Sequence, residues 1–182
     1  DFQGSAVAVS PDGKTLVFMA ARKVRGKKPQ LFVRKLDQLQ ATALDGTEGA
    51  FAPFFSPDSQ WLAFFVDNAS GGMLKKIPVT GGEPVKVCAV ESGRGGSWAE
   101  HGTIIFAQLA KPRTTLMRVP AAGGTPVAFG AFSEGANNQR WPHVLPGGTH
   151  VLYTEHSGVN RFDYANVVIA PLKGSPKDEA PK

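Results

Sequence analysis

Two short patterns recur along this chain in phase with one another, and that repetition limits the fold more tightly than any other feature. The segment Val9-Ser10-Pro11-Asp12-Gly13-Lys14-Thr15-Leu16-Val17-Phe18 returns 46 residues later as Phe55-Ser56-Pro57-Asp58-Ser59-Gln60-Trp61-Leu62-Ala63-Phe64. Looser copies follow at Trp98-Ala99-Glu100-His101-Gly102-Thr103-Ile104-Ile105-Phe106 and at Val144-Leu145-Pro146-Gly147-Gly148-Thr149-His150-Val151-Leu152-Tyr153. The second pattern, Leu74-Lys75-Lys76-Ile77-Pro78-Val79-Thr80-Gly81-Gly82, reappears 42 residues on as Leu116-Met117-Arg118-Val119-Pro120-Ala121-Ala122-Gly123-Gly124. Weaker versions begin at Leu31 and Val167, so each of four repeats carries both patterns.

Each pattern has a local physical cause. In Ser-Pro-Asp-Gly the proline presets φ at the second turn position, the aspartate bonds nearby amides, and the glycine takes the left-handed residue that closes a short hairpin. Ser59 stands where that glycine would be, at an expected cost of a few tenths to roughly 1 kcal/mol. The paired glycines at 81–82 and 123–124 close a second hairpin, and Pro78, Pro120 and Pro171 fall near strand ends, where a missing amide is tolerated. Between the turns lie short apolar, β-branched or aromatic runs, and no window has a capped helical period. Each repeat therefore reads as four strands, A to D. Leu62-Ala63-Phe64-Phe65-Val66 is apolar on both faces, which suits sheets stacked radially as the blades of an all-β propeller. The repeats run over about 6–51, 52–96, 97–139 and 140–177, a partial propeller over 1–177, with a polar tail at 178–182. The 21 glycines and 14 prolines are this punctuation and not a mark of disorder, since 42% of residues are apolar.

Ser10-Pro11-Asp12-Gly13-Lys14 with Leu16 and Phe18, and its copy at Ser56, resemble the TolB-like propeller repeat, a relative of the WD repeat without its Gly-His and Trp-Asp signatures. The run from Gly71 to Val79 and the segment Arg140-Trp141-Pro142-His143-Val144-Leu145-Pro146-Gly147-Gly148 look like propeller regions that follow the kinase domain of some bacterial serine/threonine kinases. Glu100-His101 and Gly147-Gly148 depart from the family's Pro-Asp-Gly. The resemblance implies a non-catalytic protein- or ligand-binding module, the sensor or interaction part of a larger bacterial signalling protein on the extracytoplasmic side. It also implies six or more blades, so four visible ones suggest a fragment with open blade edges that invite self-association. The alternative is an accessory propeller gating a prolyl-oligopeptidase-like hydrolase domain, or a self-associating structural module.

The chemistry-bearing residues point away from catalysis. Strand A lines a propeller channel, and the A strands at Ala6 to Ser10, Phe51 to Ser56, Gly96 to Ala99 and Arg140 to Leu145 contain no Asp or Glu for paired-carboxylate hydrolysis. The chain holds no Gly-x-Ser-x-Gly elbow and no kinase motif. His150 and His156 share a strand parity but lie ~20 Å apart, too far to share a metal, so neither metal nor cofactor is expected. The single Cys88 excludes a disulfide framework. Asn68-Ala69-Ser70 fits a glycosylation acceptor, a pattern common by chance. No apolar stretch is long enough to span a bilayer, and the first thirty residues lack a signal pattern.

Charge supplies the candidate site. The net +5 conceals two oppositely charged propeller ends. Loops between strands B and C and between blades hold ten Lys/Arg against six Asp/Glu, whereas the opposite turns hold Lys14 against Asp12, Asp37, Asp58, Glu83 and Glu100. The basic end is led by Arg22, Lys23, Arg25, Lys27 and Lys28 in one loop, with Arg94, Arg113, Arg140 and Arg161 beside it. Such a face attracts a protein or acidic peptide, an anionic glycan or nucleic acid by long-range field. Nucleic acid is disfavoured, because the aromatic residues fall in strands where bases cannot stack on them.

Overall fold

The computed structural model describes residues 6–21, 28–68, 71–110, 112–158 and 164–172. They fold into fifteen strands, with a 3-10 turn at Glu100–Gly102. Blade 1 is β1 (Val7–Val9), β2 (Thr15–Ala20), β3 (Gln30–Lys35) and β4 (Thr42–Ala43). Blade 2 is β5 (Ala50–Phe55), β6 (Trp61–Asn68), β7 (Gly71–Pro78) and β8 (Val85–Val90). Blade 3 is β9 (Gly93–Ala99), β10 (Thr103–Ala110), β11 (Arg113–Pro120) and β12 (Val127–Ala128). Blade 4 contributes β13 (Asn138–Val144), β14 (His150–His156) and β15 (Asn166–Pro171). Within every blade the strands pair antiparallel in chain order, the pattern that tight hairpins impose. Blades 3 and 4 are also joined through a parallel bridge between Thr114 and Asn138, reinforced by the Thr114 hydroxyl donating to the Asn138 side-chain oxygen at 2.9 Å.

The Ser-Pro-Asp turns form as the sequence requires. In blade 1 the Asp12 carboxylate accepts from the Lys14 amide at 3.0 Å, and the Ser10 hydroxyl accepts from Thr15 at 2.9 Å. Blade 2 repeats this with Asp58 accepting from Gln60 at 3.0 Å and Ser56 from Trp61 at 2.9 Å. Serine hydroxyl donors hold both carboxyls below their ordinary range, followed by the turn amides. Gly13 closes its turn at φ 68° and Ser59 takes the same left-handed geometry at φ 62°. The serine gives something back, because its hydroxyl accepts from the Asp12 amide of the neighbouring blade at 3.2 Å.

Three apolar layers hold the blades together. Val17, Leu31 and Leu44 of blade 1 meet Leu62, Phe64 and Ile77 of blade 2. Ala63, Phe65 and Leu74 on the far face of blade 2 meet Ile104, Phe106 and Val119 of blade 3. Ile105, Ala107 and Leu116 then meet Val151, Tyr153 and Ala170 of blade 4. Each layer thus uses one parity of a B strand against the other parity of the next, which is why the B strands are apolar on both faces. The second layer is centred on Phe65, whose ring lies 5.7 Å from Phe51, 6.2 Å from Phe54 and 6.1 Å from Phe106. Gly93 and Gly96 admit these rings: a β-carbon on either would come within 2.5 Å of Phe65 or Phe54.

Candidate functional site in the channel

The innermost strands β1, β5, β9 and β13 lie side by side and form the wall of a channel. Three of them carry the same interruption. Against their B-strand partners, the steps from Phe51 to Phe54, Gly93 to Gly96 and Arg140 to His143 take three residues where the partner takes two. This is a β-bulge. At the equivalent position of each bulge, Ala52, Gly95 and Trp141 have φ of 48°, 90° and 53°. A tryptophan and an alanine in this left-handed region are uncommon and occur where surrounding structure fixes them. In two of the three bulges proline follows, Pro53 and Pro142, which interrupts the ladder where no amide is needed. Trp141 lies close against Gly95 of the preceding blade, where a β-carbon would sit 3.0 Å from the indole.

Two clefts open along this wall. One of about 390 Å³ surrounds the bulges and is lined by Ala52, Pro53, Gly95, Gly96, Trp141, Pro142 and His143. The other, about 490 Å³, runs toward the A–B turns between Val9, Phe54, Trp98, Glu100, His143 and Pro146. His143, exposed to solvent, borders both. Among the described residues no three of His, Cys, Asp and Glu converge as metal ligands. Among the described residues, Glu100 is the only carboxylate bordering either cleft.

The basic residues expected to share one exposed face divide into three groups. Arg22, Lys23, Arg25, Lys27 and Arg161 lie outside the described residues, as do Ala69 and Ser70 of the acceptor pattern. Lys28 and Arg113 are exposed, and the Arg113 guanidinium lies 5.4 Å over the Phe132 ring. Arg94 and Arg140 are buried, so they belong to the channel wall and not to the loop surface. They occupy equivalent positions, each immediately before the left-handed residue of its blade's bulge, Gly95 or Trp141.

Arg94 donates from Nη1 to the Ser92 hydroxyl at 2.7 Å and to the Gly93 carbonyl at 2.8 Å. Ser92 in turn donates to Asp67 of blade 2 at 3.1 Å. Burial pulls the Arg94 pKa down and Asp67 opposes it; burial does the same to Arg140, aided by the neighbouring charge of Arg94. Guanidinium remains charged under such shifts, so two fixed positive charges are buried next in sequence to Gly95 and Trp141, which line the smaller cleft. His156 is also drawn down, by burial first and then by Arg140. Nearby, fully buried Glu155 accepts from the Ser133 amide at 3.2 Å and from Gln139 Nε2 at 3.1 Å, tying blade 4 to its entry loop.

The bulge is the element of the candidate site that strand patterning misses. Its signal in the sequence was Pro53 and Pro142 in mid-strand, where a regular ladder has no place for proline.

No family model matches the chain, and no curated protein sequence does. Solved structures do match in shape. TolB from Agrobacterium tumefaciens superposes with a TM-score of 0.75 at 15% identity, over 92% of this chain and 61% of that one. The fold is a TolB-like β-propeller. The propeller domain of the Trilobed protease from Pyrococcus furiosus, described as having an open velcro topology, matches with a TM-score of 0.61 at 12% identity, over 93% and 53%. A chain of the nidogen/laminin complex matches at 0.64 and 13%, over 91% and 58%. The propeller thus spans about three fifths of the Agrobacterium protein and less of the other two.

Proposed function

We propose that this propeller is a non-catalytic binding module that receives an acidic protein segment at the B–C/D–A end of its channel. The observation that carries this reading is the pairing of Arg94 and Arg140 at equivalent strand positions behind an apolar cleft around Trp141. Both guanidiniums are buried, and their positive charge acts through low dielectric on the neighbouring cleft. Trp141, Pro142, Ala52 and Pro53 offer an aromatic and apolar surface to the ligand's side chains. The cations Arg22, Lys23, Arg25, Lys27 and Lys28 add long-range attraction for an acidic segment. The nidogen/laminin match supports protein recognition as a use of this fold, and the signalling context rests on the resemblance of the segments 71–79 and 140–148 alone.

The test is a fluorescent peptide alternating glutamate and leucine, titrated by anisotropy at low and high salt. Affinity should fall with salt, fall again when the five loop cations are replaced by serine, and fall about tenfold in Trp141→Ala with the loop intact. A salt-independent affinity, or one unchanged in both variants, removes the basis for the reading. A second reading, an accessory propeller of a hydrolase, is favoured by the likeness to the Pyrococcus protease domain. A hydrolase elbow encoded beside this segment would decide for it.

A further inference from the structure

The four A–B turns meet at one end of the channel, and one of them breaks the pattern that the others share. Backbone amides of Ser10, Ser56 and Leu145 donate to Thr15, Trp61 and His150, closing turns over 11–14, 57–60 and 146–149, each of which opens on a proline. In blade 3 Ala99 pairs with Thr103, so the turn shortens to 100–102 and opens on Glu100. Pro11, Pro57, Glu100 and Pro146 are therefore equivalent positions, and all four border the larger cleft, of about 490 Å³.

The exception does not serve its own turn. In blades 1 and 2 a buried serine and a turn aspartate bond the turn amides, Ser10 with Asp12 and Ser56 with Asp58. Blade 3 lacks that arrangement: Ala99 fills the buried place of the serine, no side chain caps the 3-10 turn, and His101 takes a left-handed φ of 64°. A repeat that breaks its local rule without a local gain marks a position used by something outside the turn. The Glu100 side chain reaches across to blade 4, where a β-carbon on Gly148 would lie 3.6 Å from Oε2. Gly148 and Trp98 line the same cleft, with Phe54 and Phe55 of blade 2. A carboxylate is thus set among prolines and aromatic rings. Asp12 and Asp58, exposed on the adjoining turns, add negative charge at this end, with Lys14 opposing them.

We propose that this cleft is a second binding site, which takes a lysine or arginine side chain of an extended protein segment entering from the A–B turns. Charge complementarity selects the occupant. The carboxylate pairs with an ammonium or guanidinium, an indole attracts a cation over its face, and the apolar lining receives the aliphatic stem. The site adjoins the cleft around Trp141 through Gly96 and His143, but its ligand has the opposite charge, so it does not rest on the acidic-segment reading.

The experiment titrates three fluorescein-labelled hexapeptides against the whole chain by anisotropy, at low and high salt. They alternate leucine with arginine, glutamine or glutamate. The arginine peptide should bind more tightly than the glutamine peptide, and its affinity should fall with salt. Glu100→Gln should weaken it about threefold and Glu100→Lys, which installs a like charge, at least about tenfold. Glutamine has the shape of glutamate, so the threefold loss reports charge and not fold. Neither variant should weaken the glutamate peptide. Replacing the cations of residues 22–28 by serine should weaken the glutamate peptide and leave the arginine peptide no weaker, which separates the two sites. An arginine peptide that binds no better than the glutamine peptide overturns the proposal. So does an affinity unchanged in both Glu100 variants, or an equal loss of the arginine and glutamate peptides. Failure of the glutamate peptide alone counts against the acidic-segment reading and not against this site.

Discussion

Replacing Gly93 by alanine sets two effects of opposite sign against each other. The glycine does not have a left-handed φ, so a β-carbon would reduce the freedom of the unfolded chain and stabilise the fold by about 0.4–1 kcal/mol. That same carbon would sit 2.4 Å and 2.5 Å from two ring carbons of Phe65. Carbon atoms rest about 3.5–4.0 Å apart, so the ring must yield by about 1 Å. It has little room to do so, being fully buried among Phe51, Phe54 and Phe106. Overpacking of this kind costs about 1–3 kcal/mol, which leaves a net loss of up to about 2.6 kcal/mol once the entropic gain is subtracted. For a chain of this size that lowers the melting temperature by up to roughly 10 °C. Urea and thermal unfolding of wild type, Gly93→Ala, Phe65→Leu and the double variant complete the test. Because the smaller leucine makes room for the new carbon, the double variant should be more stable than the sum of the single losses by at least about 1 kcal/mol. Additivity within about 0.5 kcal/mol would falsify the argument that inter-blade contact dictates this glycine.

Other measurements follow from the turns and the core. The Asp12 and Asp58 carboxyls titrate below their unfolded value of 3.8, so the stability they add is complete above that value and is lost as pH falls through the lower folded one. Removing both hydroxyl donors, Ser10→Ala with Ser56→Ala, should flatten the acid limb of a urea-midpoint profile, and an unaltered limb would contradict the assignment. Burial pushes the Cys88 thiol up to about 11, so at pH 8 it should resist a thiol reagent and react at the rate of unfolding. Among the described residues the buried Tyr153 hydroxyl has no hydrogen-bond partner, so Tyr153→Phe should leave stability unchanged or raise it by up to about 1 kcal/mol in the same urea titration.

The architecture was legible because it is local and repeated. Turn residues fix hairpins over four or five positions, and Leu74 and Leu116 with their apolar neighbours mark C strands without reference to anything distant. The channel was less legible, since its character depends on which way a strand turns. Arg94 and Arg140 counted as loop charges in the sequence, but the strands begin at Gly93 and Asn138 and carry both guanidiniums into the wall. Formal charge does not record burial, and side-chain direction past a bulge departs from simple alternation. Ser59 was legible only in part: its unfavourable backbone geometry was plain, while its bond to Asp12 depends on a turn 47 residues away.

The bridge from Thr114 to Asn138 makes one sheet of the last two blades, whereas the first two remain separate sheets. The unit that was duplicated is a blade, but the unit that opens is larger where backbone bonds cross the boundary. Blades 3 and 4 should therefore lose amide protection together in hydrogen exchange, while the layer between blades 1 and 2 can part without breaking a strand ladder. A molecule built from four repeats of one unit should thereby behave as a stiff half and a compliant one.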